Sequence, residues 1–219
     1  MTRYASLRYA RLYDRLRAYD GATQTALKII DGLRDLRGAK VVELGAGTGA
    51  LTVHLAKHAS RVHAFDKSKF MIAVAREKVS LLCLSNCSVG LADHRCIPLP
   101  NASADIVVAA WTLASLVYES SEEAWTEELD NVIREMGRLV RAGGVLVALC
   151  PVDPGPRDYL ARLETTHRFC HTIFESSWRF PTIVEARDVI QFFFSEGTWK
   201  EYRSRWPQDF VTLGGVWWR

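Results

Sequence analysis

A glycine-rich segment at residues 45–49 constrains the fold of this chain more than any other feature. It follows a short apolar run at residues 41–44 and precedes a stretch with helical periodicity at residues 50–58. Glycines at alternate positions let a chain turn tightly after a strand and bring backbone N–H groups close to a ligand, at the positive end of the next helix. The segment therefore predicts a strand–loop–helix unit that binds a nucleotide-like cofactor.

Apolar runs alternate with helical segments along most of the chain, and this alternation predicts an α/β fold. A parallel sheet covered by helices on both faces gives such a pattern, because its strands are buried on both sides. The predicted strands are residues 41–44, 61–66, 87–92, 105–110, 145–150, 172–179 and 209–218. The predicted helices are residues 23–33, 50–58, 69–79, 122–140, 157–167 and 184–195.

The composition is that of a globular protein. Of the 219 residues, 48% are hydrophobic and 24% are charged, which is enough for one sizeable core. The longest uncharged apolar stretch, residues 106–117, is shorter than the ~20 residues that a membrane-spanning helix needs. Residues 1–16 have no apolar signal core. We therefore expect a cytoplasmic protein with no membrane span.

Three carboxylates indicate which cofactor the glycine segment binds. Gly45, Gly47 and Ala50 also satisfy the dinucleotide pattern, so the glycines alone leave NAD open. A carboxylate at Glu43 would repel a pyrophosphate but suits a ligand with ammonium and sulfonium centres. Asp66 and Asp93 follow the next two strands, where they can bind ribose hydroxyls and an adenine amino group. Together they predict a cationic adenosine ligand.

The order and spacing of the motifs resemble those of class I S-adenosylmethionine-dependent methyltransferases, most closely the small-molecule branch that includes the ubiquinone and menaquinone methyltransferases. The residues that carry the resemblance are VVELGAGTG at 41–49, FDKS at 65–68, AD at 92–93 before IPLP at 97–100, ADIVV at 104–108 and RLVRAGG at 138–144. The resemblance implies a Rossmann-like, doubly wound sheet of seven strands, mostly parallel with an antiparallel last strand, with helices on both faces.

The resemblance also implies a domain plan and a set of cofactor contacts. We predict a single methyltransferase domain over residues 1–219, with an N-terminal helical lid (1–20), a cofactor-binding core (38–150) and a substrate-side tail (151–219). S-adenosylmethionine is the expected cofactor. The residues predicted to bind it are Tyr13, Glu43, Gly45, Ala46, Gly47, Gly49, Asp66, Lys67, Asp93, His94, Ala110 and Trp111.

The expected reaction is methyl transfer by in-line displacement to a small, partly apolar acceptor. Holding the acceptor and the methyl group at near-attack distance supplies most of the catalysis, so no residue is assigned as catalytic. His94, Trp111 and His171 are the candidates, the histidines as bases and the indole beside the sulfonium. After the fourth strand the chain lacks the Asn/Asp-Pro-Pro-aromatic turn of base-amino methylases and the clustered acidic ligands of metal-dependent catechol enzymes. We therefore expect no metal.

Other functions stay open at this point. Arg8, Arg11 and Arg15 lie on one face of a predicted amphipathic helix and could bind an RNA or protein target. The net charge of +3 is too small to argue for nucleic acid by itself, so we expect a small-molecule acceptor and no nucleic acid partner. The helix is also explained as a solvated basic surface. A non-catalytic module that senses S-adenosylmethionine is a second alternative, and a nicotinamide-dependent oxidoreductase is a third.

Overall fold

The computed structural model describes residues 6–121, 124–153, 158–193, 196–207 and 209–219. Within these residues one sheet has the strand order β3-β2-β1-β4-β5-β7-β6. The strands are β1 (Lys40–Leu44), β2 (Arg61–Asp66), β3 (Cys87–Leu91), β4 (Ala104–Ala110), β5 (Val140–Asp153), β6 (Cys170–Trp178) and β7 (Phe210–Trp218).

The strand directions confirm the predicted fold class. β1 pairs in parallel with β2 and β4, and the outer pairs β2–β3 and β4–β5 are also parallel. β7 lies between β5 and β6 and runs antiparallel to both. The described strands therefore form a doubly wound sheet of seven strands with β7 as the reversed strand.

Helices cover both faces of the sheet. Successive residues of a strand point to opposite faces, so Val41 packs with the α2 and α3 layer, whereas Val42 packs with the layer of α5, α6 and α7. Burial on both faces explains why the central strands are almost continuously apolar. The helices are α1 (Leu7–Ala18), α2 (Ala22–Leu33), α3 (Thr52–Ala56), α4 (Lys69–Leu81), α5 (Leu113–Glu119), α6 (Ala124–Leu139), α7 (Asp158–Thr165), α8 (Ile183–Phe193) and α9 (Glu196–Arg205).

A third hydrophobic cluster joins the first helix to the tail. Leu16 of α1 packs with Trp178 of β6 and with buried residues of α8 and α9, among them Ile190 and Trp199. The backbone N–H of Gly21 donates to the Ser177 carbonyl at 3.0 Å, which ties the α1–α2 junction to β6. The tail therefore holds α1 over the carboxyl ends of the strands.

The structure differs from the sequence predictions in three elements. α5 and α9 were not predicted, because α5 is short and Trp199 and Tyr202 are the buried residues of α9, too few for a clear apolar stripe. β5 begins at Val140, so residues 141–144, which lie between the predicted helix 122–140 and the predicted strand 145–150, belong to the strand, with an irregular register against β4. None of the helices in the described part of the chain is long and apolar enough to cross a membrane.

Candidate functional site

A cavity lies at the carboxyl ends of the central strands, under α1. About 50 Å³ of it is open to a water-sized sphere, so it is a narrow cavity. Its lining contains most of the residues predicted to bind a cofactor, together with Met71, Ala92, Thr112 and Ser115, which were not predicted. The predicted residues in the lining are Tyr13, Gly45, Gly47, Asp66, Lys67, His94, Ala110 and Trp111.

The glycine segment needs its glycines for two physical reasons. Gly45, Gly47 and Gly49 have φ angles of +70°, +54° and +77°, in the left-handed region that other residues rarely adopt. Gly45 also approaches the turn between β4 and α5 closely, because a Cβ atom there would lie 2.4 Å from Cβ of Thr112. The loop can therefore turn under the cavity only with no side chain at these three positions.

Asp66 organises the loop as well as facing the cavity. Its Oδ2 accepts a hydrogen bond from the Gly47 N–H at 2.8 Å, and its Oδ1 accepts one from the Ser68 N–H at 2.8 Å. Burial raises the pKa of the carboxyl, while the two backbone hydrogen bonds oppose the shift. A carboxylate has about four lone-pair positions, so Asp66 can still accept from two hydroxyls of a ligand.

Glu43 lies beneath the loop and does not line the cavity. Its side chain is buried, and its Oε2 accepts a hydrogen bond from the Thr52 hydroxyl at 2.6 Å. Burial raises the pKa of this carboxyl to about 8 against the lowering effect of Thr52, and Asp66 adds a smaller rise. The loop therefore rests on a carboxyl group that is mostly protonated at neutral pH.

Three further side chains close the cavity. Tyr13 comes from α1, with Cε1 3.5 Å from the position that a Cβ on Gly47 would take. Phe193 of α8 packs edge-on against the Tyr13 ring at 6.0 Å. His94 is buried, which lowers the pKa of its imidazole, and the Lys67 ammonium pairs with Glu119 at 2.8 Å.

Some predicted residues lie outside the cavity lining. Ala46 and Gly49 are internal to the loop. Asp93 receives two hydrogen bonds from the Arg95 guanidinium, at 2.8 and 2.7 Å, which lower the pKa of its carboxyl. His171 lies on β6, three strands from β4 in the sheet, where it pairs with Glu164 at 3.3 Å. The structure does not bring His171 to the cavity.

A buried ion pair beside the cavity was not predicted. The Arg17 guanidinium lies 3.8 Å above the centre of the Trp111 indole and donates to Asp20 at 2.5 Å. The backbone of Trp111 has φ +53°, and its backbone N–H donates a hydrogen bond to the Leu149 carbonyl at 2.8 Å. The three-residue spacing of Arg17 and Asp20 suits a pair on one helix, but their burial depends on distant elements.

A second cavity, with about 190 Å³ open to a water-sized sphere, shares Trp111 with the first. It lies between the α1–α2 junction and the neighbouring strands β5, β7 and β6. Its walls combine aromatic and apolar side chains with a few polar groups. They comprise Arg17, Asp20, Ala22, Trp111, Pro151, Ser176, Trp178, Thr212, Leu213 and Gly214.

The arginines of the first helix hold that helix in place. Arg11 pairs with Glu77 of α4 at 2.5 Å, and Arg15 pairs with Glu185 of α8 at 2.6 Å. Arg8 lies beside them in an open cleft between α1 and α8. Among the described residues, no group of three His, Cys, Asp or Glu side chains is placed to hold a metal ion.

Comparisons with known proteins agree with this geometry. Residues 41–144 match a family described as a methyltransferase domain. The chloroplastic 2-methyl-6-phytyl-1,4-hydroquinone methyltransferase 1 of Oryza sativa subsp. japonica is 31% identical over 119 residues, 53% of this chain and 32% of the rice protein. The sarcosine/dimethylglycine N-methyltransferase of Aphanothece halophytica is 28% identical over 142 residues, 61% of this chain and 48% of that protein. The chain thus spans about half or less of these curated relatives' length.

Among solved structures, a SAM-dependent methyltransferase from Aquifex aeolicus has a similar fold. The TM-score is 0.56, the sequence identity is 19%, and the likeness covers 97% of each chain. It extends over the tail as well as the matched residues 41–144, so the whole described sheet follows one known architecture.

Proposed function

With its methyltransferase domain at residues 41–144, the chain belongs to the class I S-adenosylmethionine-dependent methyltransferases, and we propose that it methylates a small, partly apolar acceptor without a metal ion. The cofactor supplies a methyl group on a sulfonium that carries its own leaving group. The protein must therefore bind, orient and desolvate the two reactants rather than activate them strongly.

The first cavity is the proposed cofactor site. Asp66 would accept hydrogen bonds from the ribose hydroxyls through the lone pairs that Gly47 and Ser68 leave free. The glycine loop would hold the methionine end, and the backbone at His94 would contact the adenine. Asp93 would contact the adenine amino group only alongside its bonds to Arg95.

The second cavity is the proposed acceptor site, and one observation carries this assignment. Trp111 lines both cavities, so an acceptor in the second cavity would lie against the same indole as the cofactor's reacting end. Aromatic and apolar side chains form much of this lining, which suits a partly apolar body whose burial contributes ~25 cal/mol per Å². Trp111 would hold the acceptor in line.

The arginine-rich helix favours a small acceptor over RNA. Two of its three aligned arginines, Arg11 and Arg15, form ion pairs with α4 and α8, which leaves them less available for phosphates. Phosphate contacts usually come from several free cations acting together. A role in fixing α1 over the cofactor accounts for these side chains.

The experiment measures radiolabelled methyl transfer into a cell extract that is then separated into small-molecule, RNA and protein fractions. Label should enter the small-molecule fraction, with and without a chelator. The triple variant Arg8→Gln, Arg11→Gln, Arg15→Gln should stay within a few-fold of wild type, because exposed ion pairs contribute only ~0–1 kcal/mol each. Trp111→Ala should lower transfer at least ten-fold by loosening the in-line geometry.

Two results would contradict the proposal in different ways. Label that enters RNA and disappears in the triple arginine variant would indicate a nucleic acid substrate held by α1. Tight S-adenosylhomocysteine binding with no label in any fraction would indicate a sensor rather than an enzyme.

A further inference from the structure

The polar groups of the second cavity have a fixed hydrogen-bond polarity. We propose that Ser176 is a specificity-determining residue for the methyl-accepting substrate. It selects an aromatic substrate that carries an uncharged hydrogen-bond donor, a hydroxyl or an amine. The inference rests on the proposed function, because it takes the second cavity as the acceptor site.

The Ser176 hydroxyl has one hydrogen, and the structure shows where it points. Its Oγ lies 2.9 Å from Oδ1 of Asp20. The other oxygen of the Asp20 carboxylate pairs with the Arg17 guanidinium at 2.5 Å, and a carboxylate in an ion pair only accepts hydrogen bonds. Ser176 must therefore donate to Asp20. What it offers to a ligand is its lone pairs, which accept from a donor.

Thr212, like Ser176, presents a hydrogen-bond acceptor to the cavity. Its Oγ1 accepts from the Trp178 indole N–H at 3.3 Å and lies 3.5 Å from the Ser176 carbonyl, to which it can donate. Its hydrogen is thus directed at the protein as well. Two neighbouring hydroxyls of the lining present oxygen lone pairs, so a ligand hydroxyl or amine finds acceptors on this wall.

The one cation of the described lining is already engaged. Arg17 pairs with Asp20, stacks on Trp111 and donates to Thr23 at 3.5 Å. Its side chain is 7% exposed and that of Asp20 is 2% exposed, so a carboxylate or phosphate ligand would have to break a buried pair to reach the charge. The cavity therefore disfavours anionic acceptors.

The remaining walls suit a flat apolar body. The indoles of Trp111 and Trp178 both line the cavity, together with Pro151 and Leu213. Aromatic rings pack well against such indole surfaces. Shape and polarity together indicate a phenol-like or aromatic-amine-like acceptor.

The test uses four naphthalenes with the same body and different substituents. 2-Naphthol and 2-naphthylamine are neutral donors, 2-methoxynaphthalene has no donor, and 2-naphthoate is an anion. Each is titrated by calorimetry into the full chain saturated with S-adenosylhomocysteine. We expect the two donors to bind at least ten-fold more tightly than the other two compounds, because only a donor gives the buried Ser176 and Thr212 oxygens a hydrogen-bond partner.

Ser176→Ala should remove the ten-fold preference for 2-naphthol over 2-methoxynaphthalene. The matched control is Ser177→Ala, the next residue of β6, which is not in the cavity lining and should keep the preference. Both variants should bind S-adenosylhomocysteine as wild type does, which shows that the fold is intact.

The failures of the two proposals are distinguishable. Binding of 2-naphthoate as tight as that of 2-naphthol, or a preference unchanged in Ser176→Ala, would overturn the role of Ser176 while cofactor binding stands. If none of the four compounds binds to a protein that does bind S-adenosylhomocysteine, the inference is overturned in the same way. Loss of S-adenosylhomocysteine binding in the wild-type protein would instead contradict the proposed function.

Discussion

The buried carboxyl of Glu43 should make folding stability depend on pH. Burial raises its pKa from 4.5 to about 8. The folded protein thus holds this proton more tightly than the unfolded chain, so the stabilising contribution is complete below about pH 4.5 and is lost as pH rises through 8. One pH unit inside this window corresponds to ~1.4 kcal/mol, so the contribution should fall by about 2.7 kcal/mol between pH 5.5 and pH 7.5.

The variant Glu43→Gln isolates this contribution. Glutamine keeps the length of the side chain and an oxygen that can accept from Thr52, but it does not titrate. Urea unfolding of both proteins at pH 5.5 and pH 7.5 gives the change in free energy of unfolding, and wild type should lose ~2–3 kcal/mol more than the variant. The control is Glu77→Gln at an exposed carboxylate of α4, which should behave as wild type. Equal pH dependence of wild type and Glu43→Gln would refute the reasoning.

Binding of the cofactor should also change the protonation of Glu43. A cationic ligand above the loop favours the ionised form of Glu43. Binding of S-adenosylmethionine at pH 7 should therefore release a proton from wild type. Calorimetry in two buffers with different ionisation enthalpies measures this release, and Glu43→Gln should show less of it.

Two substitutions test other parts of the site, and a third, in α2, is a comparison for the first. Gly45→Ala should abolish S-adenosylhomocysteine binding and lower the melting temperature, because its Cβ would lie 2.4 Å from Thr112 at a φ of +70°; a variant that binds normally would contradict the loop geometry. Gly32→Ala, whose Cβ meets nothing within 4 Å in α2, should instead raise stability by ~0.5–1 kcal/mol in urea unfolding. Asp66→Ala removes acceptors from two backbone N–H groups, so it should lower both cofactor affinity and stability, by ~1–3 kcal/mol each; unchanged thermal unfolding with weakened binding would assign it to the ligand alone.

Most of the lining of the first cavity could be predicted from the sequence, because that cavity is built from local patterns. A glycine segment after a strand, with Asp66 at the end of the next strand, depends on residues whose separation along the chain determines their geometry. The strand order then brings these segments to one edge of the sheet. The glycine segment and Asp66 each depend only on the strand that precedes them. Their spacing along the chain was therefore sufficient to predict them.

The second cavity could not be predicted in this way. Arg17 and Asp20 become buried only because β6, more than 150 positions later in the sequence, pairs with the α1–α2 junction. Ser176 has no distinctive neighbours in sequence that mark it as part of a cavity. The direction of its hydroxyl follows from the charge on Asp20, which in turn follows from a three-dimensional contact with Arg17. Asp93 differs in that its partner, Arg95, lies only two residues away, and this local contact occupies part of the predicted adenine ligand.

The position of β7 has a consequence for how the protein is made. β7 follows β6 in the chain but lies between β5 and β6, and β6 has no other strand partner among the described strands. While the chain leaves the ribosome, β5 and β6 are both synthesised before the strand that joins them. The pairing edge of β5 and the aromatic side chains of β6 therefore stay uncovered until β7 emerges, and such edges are open to wrong partners. Translation pauses between residues 178 and 210 would lengthen this exposure, and chaperones that shield strand edges would protect yield.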